Sequence, residues 1–306
     1  MRSVIYKFDI VKHRKKIFIL TLLIVAVSII LLFVRGLNLG VDFVSGTRLD
    51  IHVKPNVDLE KARTVLTGLG YHDPDVRTGG SENEFVFFRV SHSMERNQIN
   101  QIEAAFEKAF QTDVNIQAQT VSPVVGRETA MNAIKAVLIA SIFIIIYVAI
   151  RFEFRFAVSA VLALLYDVMF VVGTFSLFQI EVDLVFIAAV LTIVGYSIND
   201  TIVIFDRIRE NMKQENPAKW DDLAAIVNNS IMQTLVRSIN TVLTVVFAAL
   251  LLWLLGGESI RNFSLALLLG LISGAYSSIF VASPLWVTWK WKSMQKKHPS
   301  KKAVTE

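Results

Sequence analysis

The sequence predicts an α-helical integral membrane protein. Six transmembrane helices carry one external α+β domain, of ferredoxin-like β-α-β-β-α-β order, between the first and second helix. Three observations carry this prediction. Hydrophobic residues make up 54% of the 306, and the mean hydropathy is +0.53. They gather into six runs that approach or exceed the ~20 residues needed to cross a bilayer. The basic residues fall in alternate loops, as they do when a chain crosses a membrane repeatedly.

The spans are placed at residues 17–34, 130–150, 156–180, 184–205, 238–255 and 263–286. Ahead of the first stand Arg2, Lys7, Lys12, Arg14, Lys15 and Lys16. Arg151 and Arg155 follow the second, and Arg207, Arg209, Lys213 and Lys219 follow the fourth. Lys290, Lys292, Lys296, Lys297, Lys301 and Lys302 end the chain, whereas the 179–183 loop holds Glu181 and Asp183 without a base. Both termini are therefore expected on the cytoplasmic side. The net charge of +5 is explained by this bias and needs no nucleic-acid partner. The first span has no small-x-small cleavage site and is read as a retained anchor. Lys135 sits near the outer end of span two, where its stem can snorkel to the headgroups. The expected organisation is 1–37, cytoplasmic N-terminus and first helix; 38–122, external domain; 123–286, helices two to six; and 287–306, a basic cytoplasmic tail.

Within the external segment, 47–53 alternates Leu49, Ile51 and Val53 as a strand does. Asp58 can cap a helix that runs to residue 69 and stops at Gly70. Strands follow at 75–78 and 84–90, around Gly79-Gly80-Ser81. A second helix over 94–110 lines up Ile99, Ile102, Phe106 and Phe110 on one stripe. A last strand over 113–121 precedes Pro123. The β-α-β-β-α-β order is that of a ferredoxin-like unit, a fold that hosts many functions.

The chemistry lies in the membrane. Span four carries Asn199 and Asp200 in Gly195-Tyr-Ser-Ile-Asn-Asp200. A carboxylate in hydrocarbon costs at least ~2.5–3.5 kcal/mol, so such groups usually have a function. Span five opens with Arg237, Asn240, Thr241 and Thr244 on one helical face. Tyr196 and Asp200 share a face of span four, and the two polar stripes are expected to face each other, with Asp200 meeting Arg237. Asp167 lies twelve residues beyond Arg155, ~18 Å at helical rise, near the midplane. It is a third polar member, with only Tyr166 as a polar neighbour. Gly270 and Gly274, followed by Ser277 and Ser278, form a small-x-x-x-small packing face. Against this ion-pathway reading stands a structural one, in which the charges only fix helix register.

Other chemistries find no support. The chain has no cysteine, and its five histidines (His13, His52, His72, His92, His298) lack metal-ligand spacing. No phosphate-binding Gly-rich loop occurs. Neither a metal nor a cofactor is called for, and no enzymatic activity is expected.

The motifs resemble those of the SecF branch of the SecD/SecF family, in the RND superfamily. Gly40-Val-Asp42-Phe43-Val-Ser-Gly46-Thr47 is similar to its G-x-D-F-x-G-G-T signature. Gly195 to Asp200, Asp206-Arg-Ile-Arg-Glu-Asn211, Thr234 to Thr241, Gly256-Gly257 and Glu181-Val-Asp183 are similar as well. Ser45 departs from the usual glycine pair, and Tyr166 stands where a histidine commonly precedes the aspartate. The resemblance implies an accessory subunit of the Sec protein translocase in the bacterial cytoplasmic membrane. With SecD, a homologous six-span partner, it would use the proton-motive force to promote preprotein export through the SecYEG channel; YajC is a further candidate partner. It also implies that Asp200 and Arg237 belong to the proton path, with Asn199 and Thr241 beside them and Asp167 as a secondary member.

Two other functions share single features with this sequence. Tyr166-Asp167 is similar to the Y-D motif of intramembrane aspartyl proteases, but Asp200 follows Ser-Ile-Asn rather than Gly-x-Gly, and the Pro-Ala-Leu element is missing. A small-molecule or lipid exporter of the RND type normally carries both halves in one chain, and only one half is present here.

Overall fold

The computed structural model describes residues 9–80, 82–215 and 217–297. Arg2, Lys7, Ser81, His298, Lys301 and Lys302 lie outside the described residues. Helix α1 (Arg14–Val34) leads through strand β1 (Asn38–Leu39) and a short α2 (Val41–Val44) into the external domain. There follow β2 (Gly46–His52), α3 (Leu59–Gly68), β3 (Asp75–Gly79), β4 (Phe85–Val90), α4 (Arg96–Phe110) and β5 (Asn115–Val121). The antiparallel sheet has the order β3-β4-β2-β5, with Leu49 opposite both Phe88 and Ala118. This is the split β-α-β arrangement expected of the sequence. Asp58 caps α3 by accepting from the Glu60 and Lys61 N–H groups. Leu49, Ile51, Val86 and Phe88 of the sheet pack on Leu66, Ile102 and Phe106 of the two helices.

The bundle continues with α5 (Pro123–Arg151), α6 (Phe154–Phe178), strand β6 (Glu181–Val182), α7 (Leu184–Glu215), α8 (Trp220–Leu255) and α9 (Glu258–Ser277). A π-helical turn (Ser278–Ala282) then joins α9 to α10 (Ser283–Lys297). Among the described residues, six helical stretches are long and apolar enough to cross a membrane, the last running through α9, the π turn and α10. They are not equivalent. The apolar windows of α6, α7 and the last stretch are 56%, 50% and 61% buried, against 11% each for α1, α5 and α8. The first three form the inner layer, and the others present most of their surface outward. Helix α1 touches the bundle along α6, where Ser28 fills the space left by Gly173.

Two helices extend well beyond the expected spans. Helix α8 begins at Trp220 because Leu223, Ile226, Val227 and Ile231 form an apolar stripe that is fully buried. Arg237 therefore lies mid-helix rather than at a helix start. Helix α7 runs on to Glu215 by the same logic, burying Ile208. The π turn has a local cause. Pro284 supplies no N–H and crowds the carbonyl four residues back, so the ladder widens ahead of it. Ser283 Oγ donates to the Ser278 carbonyl at 3.0 Å.

One end of the bundle gathers the basic groups. Arg151 pairs with Asp206 at 3.4 Å, Arg209 with Asp206 at 2.8 Å and Lys290 with Glu153 at 3.0 Å. At the opposite end, β1 pairs in parallel with β6 and fastens the external domain to the α6–α7 loop.

Candidate functional site

Asp200 is buried on α7, 7% exposed, and its Oδ2 has no hydrogen-bond partner. Ser238 Oγ, buried on the facing side of α8, acts on this carboxylate without forming a well-made hydrogen bond to it. Buried polar groups so incompletely satisfied are rare. Arg237, one position before Ser238, turns outward, as do Asn240, Thr241 and Thr244. The Thr241 hydroxyl donates to the Arg237 carbonyl of its own helix at 2.9 Å. On α7, Tyr196 and Asn199 are exposed while Asp200 is not.

The expected meeting of the two polar stripes is therefore corrected. The inward face of α8 runs through Thr234 and Ser238, and the neighbouring position falls about 100° away on a helix of 3.6 residues per turn. The charge of Arg237 still acts on Asp200, but no direct ion pair joins them. Asn199, Arg237, Asn240 and Thr241 lie on the outward-facing surface.

Asp167 proves far less isolated than its sequence neighbours suggest. It is completely buried and accepts from Ser197 Oγ of α7 at 2.6 Å, Ser273 Oγ of α9 at 2.5 Å and Ser277 Oγ of α9 at 2.7 Å. Close packing makes this cage. A side chain at Gly270 would collide with Ile193, and a Cβ at Gly274 would come 3.1 Å from the Cβ of Ser197. Small residues on α9 thus let α7 approach until the hydroxyls reach the carboxylate. Ser273 and Ser277 stand at helical i, i+4 spacing around Gly274, a pattern that in the sequence reads as a packing face.

The Gly40–Thr47 motif builds the junction with the external domain. The Gly40 N–H donates to the Val182 carbonyl at 2.8 Å, and a Cβ there would lie 2.8 Å from Glu181 Oε1. Asp42 Oδ2 accepts from the Leu184 N–H at 3.0 Å, capping α7, while Oδ1 accepts from Gln119 Nε2 of β5 at 2.8 Å. Phe43 packs on the cluster around Phe186. Thr47 Oγ1, fully buried, accepts from the Met94 N–H at 2.9 Å. Gly46 has φ +118° and abuts the Val90 carbonyl. Ser45 has φ +65° and ψ 170°, a conformation that suits glycine almost alone.

A charged clasp surrounds this motif. Arg48 holds Asp50 at 2.7 Å and Glu181 at 3.1 Å, over the face of Phe87. Arg89 reaches the Leu39 carbonyl at 2.6 Å and Asp75 at 2.8 Å. Burial works against the Arg48 charge, but Glu181 and then Asp50 outweigh it and leave its pKa raised. For Glu181 the balance is reversed: burial outweighs Arg48 and Arg89 and lifts its carboxyl above the usual range. Burial lifts Asp183 too, against a hydrogen bond from the Phe186 N–H.

Among the described residues no group of His, Cys, Asp and Glu could hold a metal ion. The geometry thus offers a buried, incompletely satisfied carboxylate at an outward-facing polar surface, a second carboxylate caged inside the bundle, and a stiff link to an external domain.

Comparison with known proteins agrees with this reading. Residues 101–292 match the family model described as protein export membrane protein SecD/SecF, C-terminal, and residues 30–57 match the SecD/SecF GG motif. The protein translocase subunit SecF of Alicyclobacillus acidocaldarius is 45% identical over 97% of this chain and 98% of its own length. SecDF of Bacillus subtilis is 45% identical over 95% of this chain and 39% of its own. The crystal structure of SecDF, a translocon-associated membrane protein from Thermus thermophilus, superposes with a TM-score of 0.86 at 36% identity, covering 95% of this chain and 40% of that one. The chain thus spans about two-fifths of the SecDF polypeptides it matches.

Proposed function

The chain belongs to the SecD/SecF family of protein-export membrane proteins, and from that premise we propose that it couples the proton gradient to preprotein export as half of a twelve-span unit. The observation that carries the proposal is Asp200, a buried carboxylate with an unpartnered oxygen, set beside the outward-facing Arg237, Asn199 and Thr241. Alone, this surface would present a guanidinium and amides to lipid, which is costly. A homologous partner of the SecD kind would enclose it. Proton binding at Asp200 would then change how the carboxylate and Arg237 attract each other across that interface. One charge crossing 100 mV releases ~2.3 kcal/mol, enough to bias a bistable assembly. Through Asp42 on the α7 N-terminus and the Arg48 clasp, a shift of α7 would reach the external domain, which would draw the preprotein outward.

In this reading both termini are cytoplasmic and the external domain, residues 38–122, faces outward. SecYEG is the channel served, YajC is a further candidate partner, and no chemical reaction is catalysed. Affinity purification from native membranes tests the proposal. Co-isolation of a homologous six-span subunit and the Sec channel is expected. Isolation of a lone chain that fully supports gradient-driven export contradicts it.

A further inference from the structure

We propose that the cleft between the segment ahead of α1 and the start of α8 binds the headgroup of an aminophospholipid, of the phosphatidylethanolamine kind. The proposal needs only that the chain sits in a membrane, not that it couples a proton gradient. The segment is strapped onto α8. Ile10 and Val11 are buried against the cluster that contains Leu223 and Val227. Asn228 Nδ2 donates to Asp9 Oδ1 at 2.6 Å, and Asn228 Oδ1 accepts from the Val11 N–H at 3.2 Å. The Arg14 guanidinium lies 4.3 Å over the Trp220 ring, and Trp220 meets Trp291 of α10 edge-on at 5.9 Å. Strap and helix together line a cleft of about 580 Å³, the size of a small-ligand site.

The charges around this cleft select the ligand. Lys12 and Arg14 bring two cations, and Asp9 and Asp221 two carboxylates, yet among the described residues none of the four forms an ion pair. Opposite charges that share a cleft and leave each other unpaired suit a ligand that carries both signs. A phosphodiester joined to a primary ammonium does so. Its phosphate would take charge-assisted hydrogen bonds from Lys12 and from the Arg14 N–H groups not spent on the Val11 carbonyl. Its ammonium would donate to Asp221 and Asp9. A quaternary ammonium has no N–H to donate and is held by aromatic faces instead, but Arg14 and Trp291 already occupy the Trp220 ring. The place suits a lipid. Arg14 is the first residue of α1, and the apolar run of span one begins three positions on at Ile17. Beyond it Ile19 and Leu20 are exposed, so acyl chains find apolar surface along α1. Tryptophans such as Trp220 and Trp291 settle at headgroup level.

Native mass spectrometry of the full-length chain released from detergent micelles tests this. The probes are phosphatidylethanolamine, phosphatidylcholine and phosphatidylglycerol with the same acyl chains. Retention of phosphatidylethanolamine should exceed that of the other two about tenfold, the worth of one charge-assisted hydrogen bond. Asp221→Asn should abolish the preference over phosphatidylcholine, and Lys12→Gln should weaken retention of phosphatidylethanolamine. Both side chains are exposed, so neither change threatens the fold. Lys213→Gln removes an exposed cation of α7 outside the cleft and should change nothing. Equal retention of the three lipids, tighter retention of phosphatidylglycerol, or a preference that survives Asp221→Asn overturns the proposal. A loss in Lys213→Gln as large as in Lys12→Gln also overturns it, since the attraction would then be to the basic end of the bundle at large. So does displacement of the lipid by an equal concentration of soluble phosphoethanolamine, which would make this a site for a free ligand. No export is measured, so failure here leaves the translocation proposal standing.

Discussion

Replacing Arg48 by methionine should release the external domain from the membrane bundle. Arg48 is 17% exposed, and it neutralises Glu181 (21% exposed) and Asp50 (23% exposed) together. Methionine keeps the aliphatic stem against Phe87 but takes the ion-pair partner from both carboxylates, leaving Glu181 only the weaker pull of Arg89. Breaking a fully buried pair from one side costs about 3–5 kcal/mol; with this residual exposure we expect about 2–3 kcal/mol. That corresponds to about a 30- to 140-fold rise in the undocked population. Glu181→Gln should cost far less, under about 1 kcal/mol, since Arg48 retains Asp50 and the burial of a charge is relieved. Hydrogen exchange at Gly40, whose N–H closes the β1–β6 pairing, reads the difference. The pH dependence has a definite sign. Glu181 and Asp183 are lifted above their ordinary values when docked, so the docked state holds more protons than the undocked one. Their ionisation opposes docking at neutral pH, and the opposition fades as pH falls through the raised range. The protection factor at Gly40, which is exchange corrected for the intrinsic pH dependence of the amide, should rise as the external pH is lowered from neutral. Equal effects of Arg48→Met and Glu181→Gln, or a protection factor that falls on acidification, would refute this reasoning.

Three further outcomes are expected. Ser45→Gly should raise thermal stability by about 1 kcal/mol by removing positive-φ strain, and a lower melting temperature would show that the serine is not strained. Gly270→Leu should lower the melting temperature by forcing α9 from Ile193, at a cost of about 1–3 kcal/mol, while Gly195→Ala, which meets open space, should be silent; equal effects would contradict the packing. Lys54→Cys, in a chain without native cysteine, should react with an impermeant thiol reagent from outside the inner membrane, and labelling only after lysis would invert the topology.

Much of the architecture was legible because its signals are local. Hydropathy and period-2 alternation mark the spans and the strands at Leu49 and Ile51, and Asp58 marks a helix start. The reach of α7 and α8 beyond their apolar runs was not legible, since it depends on Leu223 and Ile226 finding a buried surface elsewhere in the chain. For the site, sequence placed Asp200, Arg237 and Asp167 in the membrane but misjudged what they face. Helical spacing groups Arg237 with Thr241 correctly, yet it cannot say which side of α8 meets α7. The serine cage of Asp167 joins residues 30, 106 and 110 positions away, a contact that only the close approach at Gly270 and Gly274 creates. The Gly40–Thr47 motif was visible as a motif, while its task of capping α7 through Asp42 is a tertiary fact.

The central claim, that Asp200 carries the coupling proton, is tested most directly by preprotein translocation into membrane vesicles containing Asp200→Asn at matched protein levels. Asparagine keeps the size and much of the hydrogen bonding of aspartate but cannot cycle a proton. The account predicts normal assembly and loss of the uncoupler-sensitive part of translocation. Full retention of that part would contradict it and leave Asp200 and Arg237 as elements of helix register.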